Sequence, residues 1–489
     1  MLTRILFSIT TVVGLLWGSL VTNRTLKIQP TPTPDDFTVE FYPVAPFYVG
    51  DTISARVTYH GDADLKDVPI SIALTSDLSN IVAETVFSSY QEAIFLWFLN
   101  TGEQGTGFLD FLLDIPEIGV SFHAGVNLLA AKPGPEHAWK SAATSCCTIY
   151  YISGSDAARD IDQVTTILEE ETASAIQQFF PDDPNRTIPL EDRLTLTLVP
   201  QVVGQGGFAT DEAVMTYSDR NWMGIQLPTV AHHEIVHVLD RELNGEGRGP
   251  SLLSEGLAVY LSGGHYRPSP LLEQAASLLV LDRYIPLTEI VNSFYNAQHE
   301  TGYMEAGALV TYMVNRWGWD NYLDFYFNLQ DAGDDAEVIN NGLREKFGLD
   351  LQTLEADFIA FLGTLTPQEI TLSDVRLTID VYDTIRRYQS IAIPSANFLT
   401  AWWPPLDKMR EEHIVGDYDS REKSPFNVIV ENLFLDIHQA FQNQDYAVIE
   451  QELGEVNAIL DAVSQPDVPL SHYSIGWPLP ELHLELTTP

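Results

Sequence analysis

Three histidines occur in the short segment HHEIVH, residues 232–237. On an α-helix, positions i and i+4 lie on the same face, so His233 and His237 can present two imidazoles to one point. Zinc binds histidine nitrogens in this way, at about 2.0–2.1 Å. Glu234 lies between the pair in the chain and can reach a metal-bound water as a general base. His232 is offset by about 100° around the helix and cannot replace His233.

A third zinc ligand has to come from another segment, and Glu255 is the candidate. It lies 18 positions after His237, in the segment SLLSEGLAVYLSGG, which follows a glycine-rich loop and predicts a second helix. Its neighbours in that helix are mostly apolar, and a carboxylate in such surroundings is costly unless it is paired or bound to a metal. Three protein ligands would leave the fourth zinc position open for water.

The same residues also have simpler interpretations. A core helix with solvent-facing histidines explains HHEIVH, and an ordinary surface glutamate explains Glu255. Asp240 lies on the helical stripe of the paired histidines, so it either hydrogen-bonds to a ligand histidine or is a surface side chain. His265 follows the second helix in a loop and is a further candidate for the site.

The sequence from residue 232 to residue 264, HHEIVHVLDRELNGEGRGPSLLSEGLAVYLSGG, resembles the gluzincin zinc metallopeptidases of the peptidase MA-like superfamily. Those proteins carry H-E-x-x-H on one helix and a glutamate in an SEG context on the next. The resemblance implies that His233, His237 and Glu255 bind one zinc ion. It also implies that Glu234 is the general base of a peptidase.

A weaker resemblance concerns the segment YMEAGALVTYM, which begins at Tyr303. It is similar to the Y-x-x-G/A helix of related aminopeptidases and implies that Tyr303 donates a hydrogen bond to the oxyanion; a tyrosine packed in the core is the alternative. The G-x-M-E-N motif that grips a free amine is missing, so aminopeptidase specificity is not implied. The strand near Gly207–Ala209, in the corresponding region, could still pair with an extended substrate.

The elements that must position these residues predict an α+β fold. The segments CTIYYI and RLTLTLVP read as strands, and GGFATDEAVMTYSD reads as two strands with a turn at Asp211 and Glu212. A long helix is expected to start at Ser155 or Asp156. Helical patterns then follow at 229–243, 251–262, 270–281, 303–317, 319–329, 334–347 and 351–364.

Four regions are predicted along the chain. Residues 1–35 contain a signal or anchor and a proline-rich linker. Residues 36–135 form an immunoglobulin-like β-sandwich of about seven strands, although the pattern at 90–114 fits a strand and a helix equally well. Residues 140–365 form the zincin-like peptidase domain, with a small mixed sheet and a helical lobe. Residues 366–489 form a helical C-terminal domain without a chemical motif.

The N-terminus and the two cysteines indicate where the protein works. An apolar run at residues 5–21 after Arg4 predicts export, with an uncleaved membrane anchor favoured slightly over a cleaved signal. Cys146 and Cys147 are adjacent, and neighbouring strand residues point to opposite faces. The two cysteines are therefore not expected to bind one metal ion, and two buried free thiols in an apolar strand are favoured over a vicinal disulfide, which is rare.

Charge and motifs together lead to the functional expectation. The chain has 25 Lys and Arg against 68 Asp and Glu, a net charge of −43, which argues against nucleic-acid binding because phosphate recognition needs clustered cations. Membrane contact is expected only through the anchor. We expect zinc-dependent hydrolysis of a peptide or protein substrate. The alternative is a catalytically inactive surface interaction protein that keeps the zincin fold.

Overall fold

A computed structural model describes most of the chain. The described residues are 32–42, 47–49, 52–77, 81–88, 91–101, 104–130, 138–183, 193–200, 206–219, 221–244, 249–296, 299–329, 334–392, 406–411 and 425–464. The predicted export segment at 5–21 lies outside them. Among the described residues, none of the helices combines the length and the apolar character needed to cross a membrane. The fold is mixed, with helices and several β-sheets, as expected.

The chain divides into two compact units. The described residues at 32–40, 55–95 and 109–125 belong to the first unit, and the remaining described residues belong to the second. The division does not test the domain boundaries predicted from the sequence, which stay predictions. The N-terminal strands are β1 (Phe37–Tyr42), β2 (Phe47–Tyr48), β3 (Thr52–Tyr59), β4 (Pro69–Leu74), β5 (Ile81–Val86), β6 (Glu92–Asn100), β7 (Gly107–Ile115) and β8 (Val120–Leu129).

These eight strands form two sheets, with the orders β1-β3-β6 and β2-β8-β7-β4-β5. Strands β6 and β7 show that residues 92–100 and 107–114 of the ambiguous stretch are extended rather than helical. Alternate residues of β4 and β7 are buried, the period expected of a strand with one face towards a core. In the first unit, the ring of Phe37 in β1 stacks on Phe122 in β8 with centroids 5.2 Å apart.

A five-stranded mixed sheet belongs to the second unit. Its strands are β9 (Trp139–Ala143), β10 (Cys147–Ile152), β11 (Leu194–Val199), β12 (Gly207–Ala209) and β13 (Ala213–Thr216), in the order β12-β13-β11-β10-β9. Helices α1 (Asp156–Arg159) and α2 (Ile161–Phe179) connect the parallel strands β10 and β11. The predicted N-cap is confirmed, because the Ser155 side chain accepts a hydrogen bond from Ala158 N, but the expected long helix is broken at Asp160.

Eight helices follow the sheet in the described part of the chain. They are α3 (Leu227–Asn244), α4 (Ser251–Ser262), α5 (Leu271–Val280), α6 (Leu287–Ile290), α7 (His299–Trp317), α8 (Trp319–Phe327), α9 (Asp335–Phe347) and α10 (Leu351–Leu362). All seven predicted helices are present, and the short α6 is additional. A Cβ on Gly256 of α4 would lie 2.6 Å from the carbonyl oxygen of Ala306 in α7. Glycine at this crossing lets the two helices pack closely beside the site.

Three of the four C-terminal helices pack into the same apolar core as α3 to α10, whereas the short helix at residues 406–411 packs through Leu406 and Met409 against Phe208 and Val214 of the sheet. The four helices are α11 (Glu369–Ala392), α12 (Leu406–Glu411), α13 (Pro425–Asn443) and α14 (Tyr446–Val463). Trp222, just before α3, contacts the rings of Tyr388 in α11 and Phe434 in α13. The hydroxyl of Tyr382 also donates a hydrogen bond to Met223 O at 3.1 Å. These contacts fix the start of the histidine-bearing helix.

The prediction of two free thiols is wrong in this structure. Cys146 and Cys147 are joined by a disulfide bond. The argument for opposite-facing side chains assumed that both residues lie in a strand, but β10 begins only at Cys147 and Cys146 lies in the preceding bend. The alternation of a strand therefore does not apply to this pair.

Candidate metal centre

Three donor atoms from two helices converge at one point. His237 Nε2 lies 3.1 Å from His233 Nε2 and 3.1 Å from Glu255 Oε2, and His233 Nε2 lies 3.3 Å from the same oxygen. A tetrahedral ion with bonds of 2.0–2.1 Å has ligand-to-ligand distances of about 3.3–3.4 Å. The triangle therefore has nearly the size that such an ion requires. Within the described residues, this group is able to bind a metal ion.

The electrostatics of the group also suit a cation. Burial lowers the pKa of His233 to about 3, so this imidazole is neutral and keeps a lone pair for a ligand bond. Burial would lower the pKa of His237 too, but the charge of Glu255 outweighs it and raises the pKa to about 9. Burial opposes ionisation of Glu255, yet the nearby His237 holds its pKa well below the usual range. A metal ion would replace the proton that this arrangement otherwise attracts.

His232 serves a different purpose from its two neighbours. Its Nδ1 lies 2.9 Å from Glu171 Oε2 and its Nε2 lies 3.0 Å from Gln178 Oε1, both in α2. The ring is buried between the two helices, away from the metal-binding group. The prediction that His232 is not one of the paired histidines is confirmed, and the residue holds α3 against α2.

Glu234 faces the sheet beside the metal-binding group. A Cβ on Gly207 of β12 would lie 2.8 Å from Glu234 Cγ and 2.5 Å from the carbonyl oxygen of Val214. Only glycine leaves room for the carboxylate at this position. Burial raises the pKa of Glu234 to about 8. A carboxyl group that titrates near neutral pH can both accept and return a proton.

A cavity of about 450 Å³ opens over these residues. Its lining includes Gly207, His233, Glu234, His237, Glu255 and Tyr303. Four of the five predicted site residues come from α3 and α4, and Tyr303 comes from α7. The strand β12 forms one wall, and the expected pairing of this strand with an extended substrate stays a prediction. A volume of this size accommodates several residues of a peptide or a comparable small molecule.

Tyr303 lies in the cavity wall and is also packed in the core. Its ring stacks on His265 at 3.8 Å and lies 6.0 Å from the ring of His233. Burial raises the pKa of its hydroxyl well above the usual range, so the group keeps its proton and can act as a donor. His265 lines the same cavity, and its Nδ1 lies 3.3 Å from Glu300 Oε1.

Asp240 is a buried residue, so its interpretation as a surface side chain is wrong. It is 6% exposed and accepts a hydrogen bond from Tyr326 OH at 2.6 Å. Its charge contributes to the raised pKa of His237. The sequence could not indicate the hydrogen bond between Asp240 and Tyr326, because Tyr326 lies 86 residues further along the chain.

Tyr295 contacts the metal-binding group but carries no sequence signal. Its hydroxyl donates a hydrogen bond to Glu255 Oε1 at 2.6 Å, on the side of the carboxylate away from the histidines. The residue lies in a short 3-10 turn, Phe294–Asn296, outside the predicted helices. No motif marks a lone tyrosine in such a turn, so the structure alone identifies it.

Comparison with known proteins adds no identification. No protein-family model matches the chain, and no curated protein sequence is significantly similar to it. Fold and site therefore define the class of protein: a mixed helix and sheet protein with a buried group of two histidines and one glutamate that is able to bind a metal ion.

Proposed function

We propose that this protein is a gluzincin-like zinc metallopeptidase that hydrolyses peptide bonds. The observation that carries the proposal is the convergence of His233, His237 and Glu255 beside a buried Glu234 in one cavity. Two imidazole nitrogens and one carboxylate oxygen at tetrahedral spacing favour zinc over magnesium or calcium, which prefer oxygen ligands. One zinc ion is the expected cofactor.

Each residue around the ion has a different role in the proposed reaction. When bound, zinc supplies Lewis acidity and lowers the pKa of water. Glu234, buried beside the metal-binding group, accepts a proton from the attacking water and delivers it to the leaving amine. Tyr303, protonated and next to His233, donates a hydrogen bond to the carbonyl oxygen as negative charge develops there.

The proposal includes the finer organisation of the chain. Residues 140–365 would form the zincin-like domain, followed by a helical region at 366–489 that supports the start of α3. Residues 36–135 would form an immunoglobulin-like sandwich, supported by two sheets and the contact between Phe37 and Phe122. We also propose export, with residues 5–21 as signal or anchor, a peptide or protein substrate, and no nucleic-acid partner.

Glu234→Gln tests the mechanism directly. The variant should release peptides from a casein-like substrate at least 1,000-fold more slowly than the wild type, because the proton acceptor is removed. It should keep its zinc. Glu242→Gln makes the same chemical change at an exposed position of the same helix and should retain wild-type activity. Zinc is measured by elemental analysis, and a chelator should stop hydrolysis by the wild type.

Two results would contradict the proposal in different ways. Full hydrolysis by Glu234→Gln would show that the general base has been assigned wrongly. A wild-type protein that contains one zinc ion but releases no peptide from a range of unfolded proteins would instead support the alternative, an inactive binding protein with a zincin fold.

A further inference from the structure

The two carboxylate oxygens of Glu255 have different partners, and Tyr295 is the partner of one of them. Its hydroxyl donates a hydrogen bond to Oε1 at 2.6 Å. The other oxygen, Oε2, faces His237 Nε2 at 3.1 Å and His233 Nε2 at 3.3 Å. The carboxylate is buried in the wall of the cavity, so its orientation is determined by these few contacts.

The position of Tyr295 is itself fixed by packing. Phe294 is 4% exposed, and its ring makes an edge contact with Tyr303 at 5.2 Å. This anchors the 3-10 turn that carries Tyr295, whose side chain lines the cavity although the residue is 56% exposed. Its hydroxyl end therefore reaches the metal-binding group, and much of the residue remains in contact with solvent.

A carboxylate can bind a metal ion through one oxygen or through both. A hydrogen bond donated to Oε1 competes with binding of the ion by that oxygen and stops the carboxylate from rotating. We propose that Tyr295 is a positioning residue, which holds Glu255 so that the site offers the ion three protein donor atoms rather than four. The inference rests on the metal ion of the proposed function but does not require peptide hydrolysis.

Tyr295→Phe removes the hydroxyl and keeps the ring. Partners that orient metal ligands typically contribute about 10–100-fold to metal affinity. We expect the dissociation constant for zinc, measured by competition with a chromogenic chelator, to rise by about this factor. In the cobalt(II)-substituted protein, the visible absorption should weaken, because a second bound oxygen of Glu255 raises the coordination number.

Tyr284→Phe is the matched control. Its hydroxyl donates a hydrogen bond to Glu355 Oε1 at 3.3 Å, so the same Tyr–Glu contact is removed away from the metal-binding group. This variant should keep the zinc affinity and the cobalt spectrum of the wild type. Circular dichroism of the metal-free proteins shows whether both variants fold. A general effect on packing would not change the cobalt spectrum selectively in Tyr295→Phe.

The outcomes separate this inference from the proposed function. Wild-type zinc affinity and an unchanged cobalt spectrum in Tyr295→Phe would overturn the positioning role. Equal losses of zinc affinity and of cobalt absorption in Tyr284→Phe would also overturn the positioning role. A wild type that takes up neither zinc nor cobalt would refute both proposals. A wild type that binds zinc without hydrolysing peptides would refute the proposed function alone, and the comparison of the two tyrosine variants would still decide the role of Tyr295.

Discussion

The Nε2 atoms of His233 and His237 lie 3.1 Å apart, one helical turn from each other in α3. Two imidazoles with lone pairs at this distance repel each other unless a proton or a metal ion lies between them. Glu255 adds a negative charge 3.1 Å from His237, so the pair is arranged around a cation.

Two histidines of α3, His232 and His237, should respond differently to replacement by alanine. His237→Ala removes a donor atom of the metal-binding group, so the purified variant should contain less than a tenth of the wild-type zinc. His232→Ala leaves the group intact but removes the partner of Glu171 and Gln178. It should lower the free energy of unfolding by about 1–3 kcal/mol and keep its zinc.

Elemental analysis and urea denaturation measure the two quantities. Equal zinc in the wild type and His237→Ala would remove the basis for a metal centre. Loss of zinc from a well-folded His232→Ala protein would contradict the structural role assigned to that residue.

Gly207→Ala should reduce activity through steric contact with Glu234, the proposed general base. The added Cβ would lie 2.8 Å from Glu234 Cγ and 2.5 Å from the carbonyl oxygen of Val214, so either β12 or the carboxylate has to move. We expect a fall in kcat/KM of at least 10-fold, because small displacements of catalytic groups are costly, with zinc content unchanged. In Gly454→Ala, the added Cβ meets no atom within 4 Å and sits in a helix, so activity should be unchanged. Equal activity in all three proteins would show that this contact does not constrain Glu234.

The partly buried His438 of α13 should make stability depend on pH. Burial lowers its pKa from 6.5 to about 4, with a further contribution from the charge of Arg267. The unfolded chain therefore binds a proton more readily than the folded one between about pH 6.5 and pH 4. The contribution of this residue to the free energy of unfolding is fully present above about pH 6.5. It falls as the pH decreases from about 6.5 to about 4.

We expect this residue to account for about 1–2 kcal/mol of the stability lost between pH 7 and pH 5. Urea denaturation of the wild type and His438→Gln at both pH values measures the difference. Glutamine remains uncharged and can still donate a hydrogen bond to Trp222 O, the partner of His438 Nε2. A loss of the same size in both proteins would contradict the prediction.

The sequence by itself determined the helices and the three donor residues of the centre. Apolar periodicity is a local property, so the seven helices around the site could be predicted with ends accurate to a few residues. The spacing of His233 and His237 places them on one helical face whatever surrounds the helix. The apolar neighbours of Glu255 made its burial predictable as well.

Only the tertiary structure decided what surrounds those donors. The hydroxyl of Tyr295 reaches Glu255 from 40 positions away in the chain, and Asp240 is buried against Tyr326, 86 positions away. Such contacts depend on how the 3-10 turn at residues 294–296 packs against α4 and how α8 packs against α3, which no local pattern encodes. The disulfide between Cys146 and Cys147 likewise depends on a bend before β10, which the two adjacent cysteines do not indicate by themselves. Residue type and local spacing therefore indicated the candidate metal-binding residues, and packing between distant segments decided their hydrogen-bond partners.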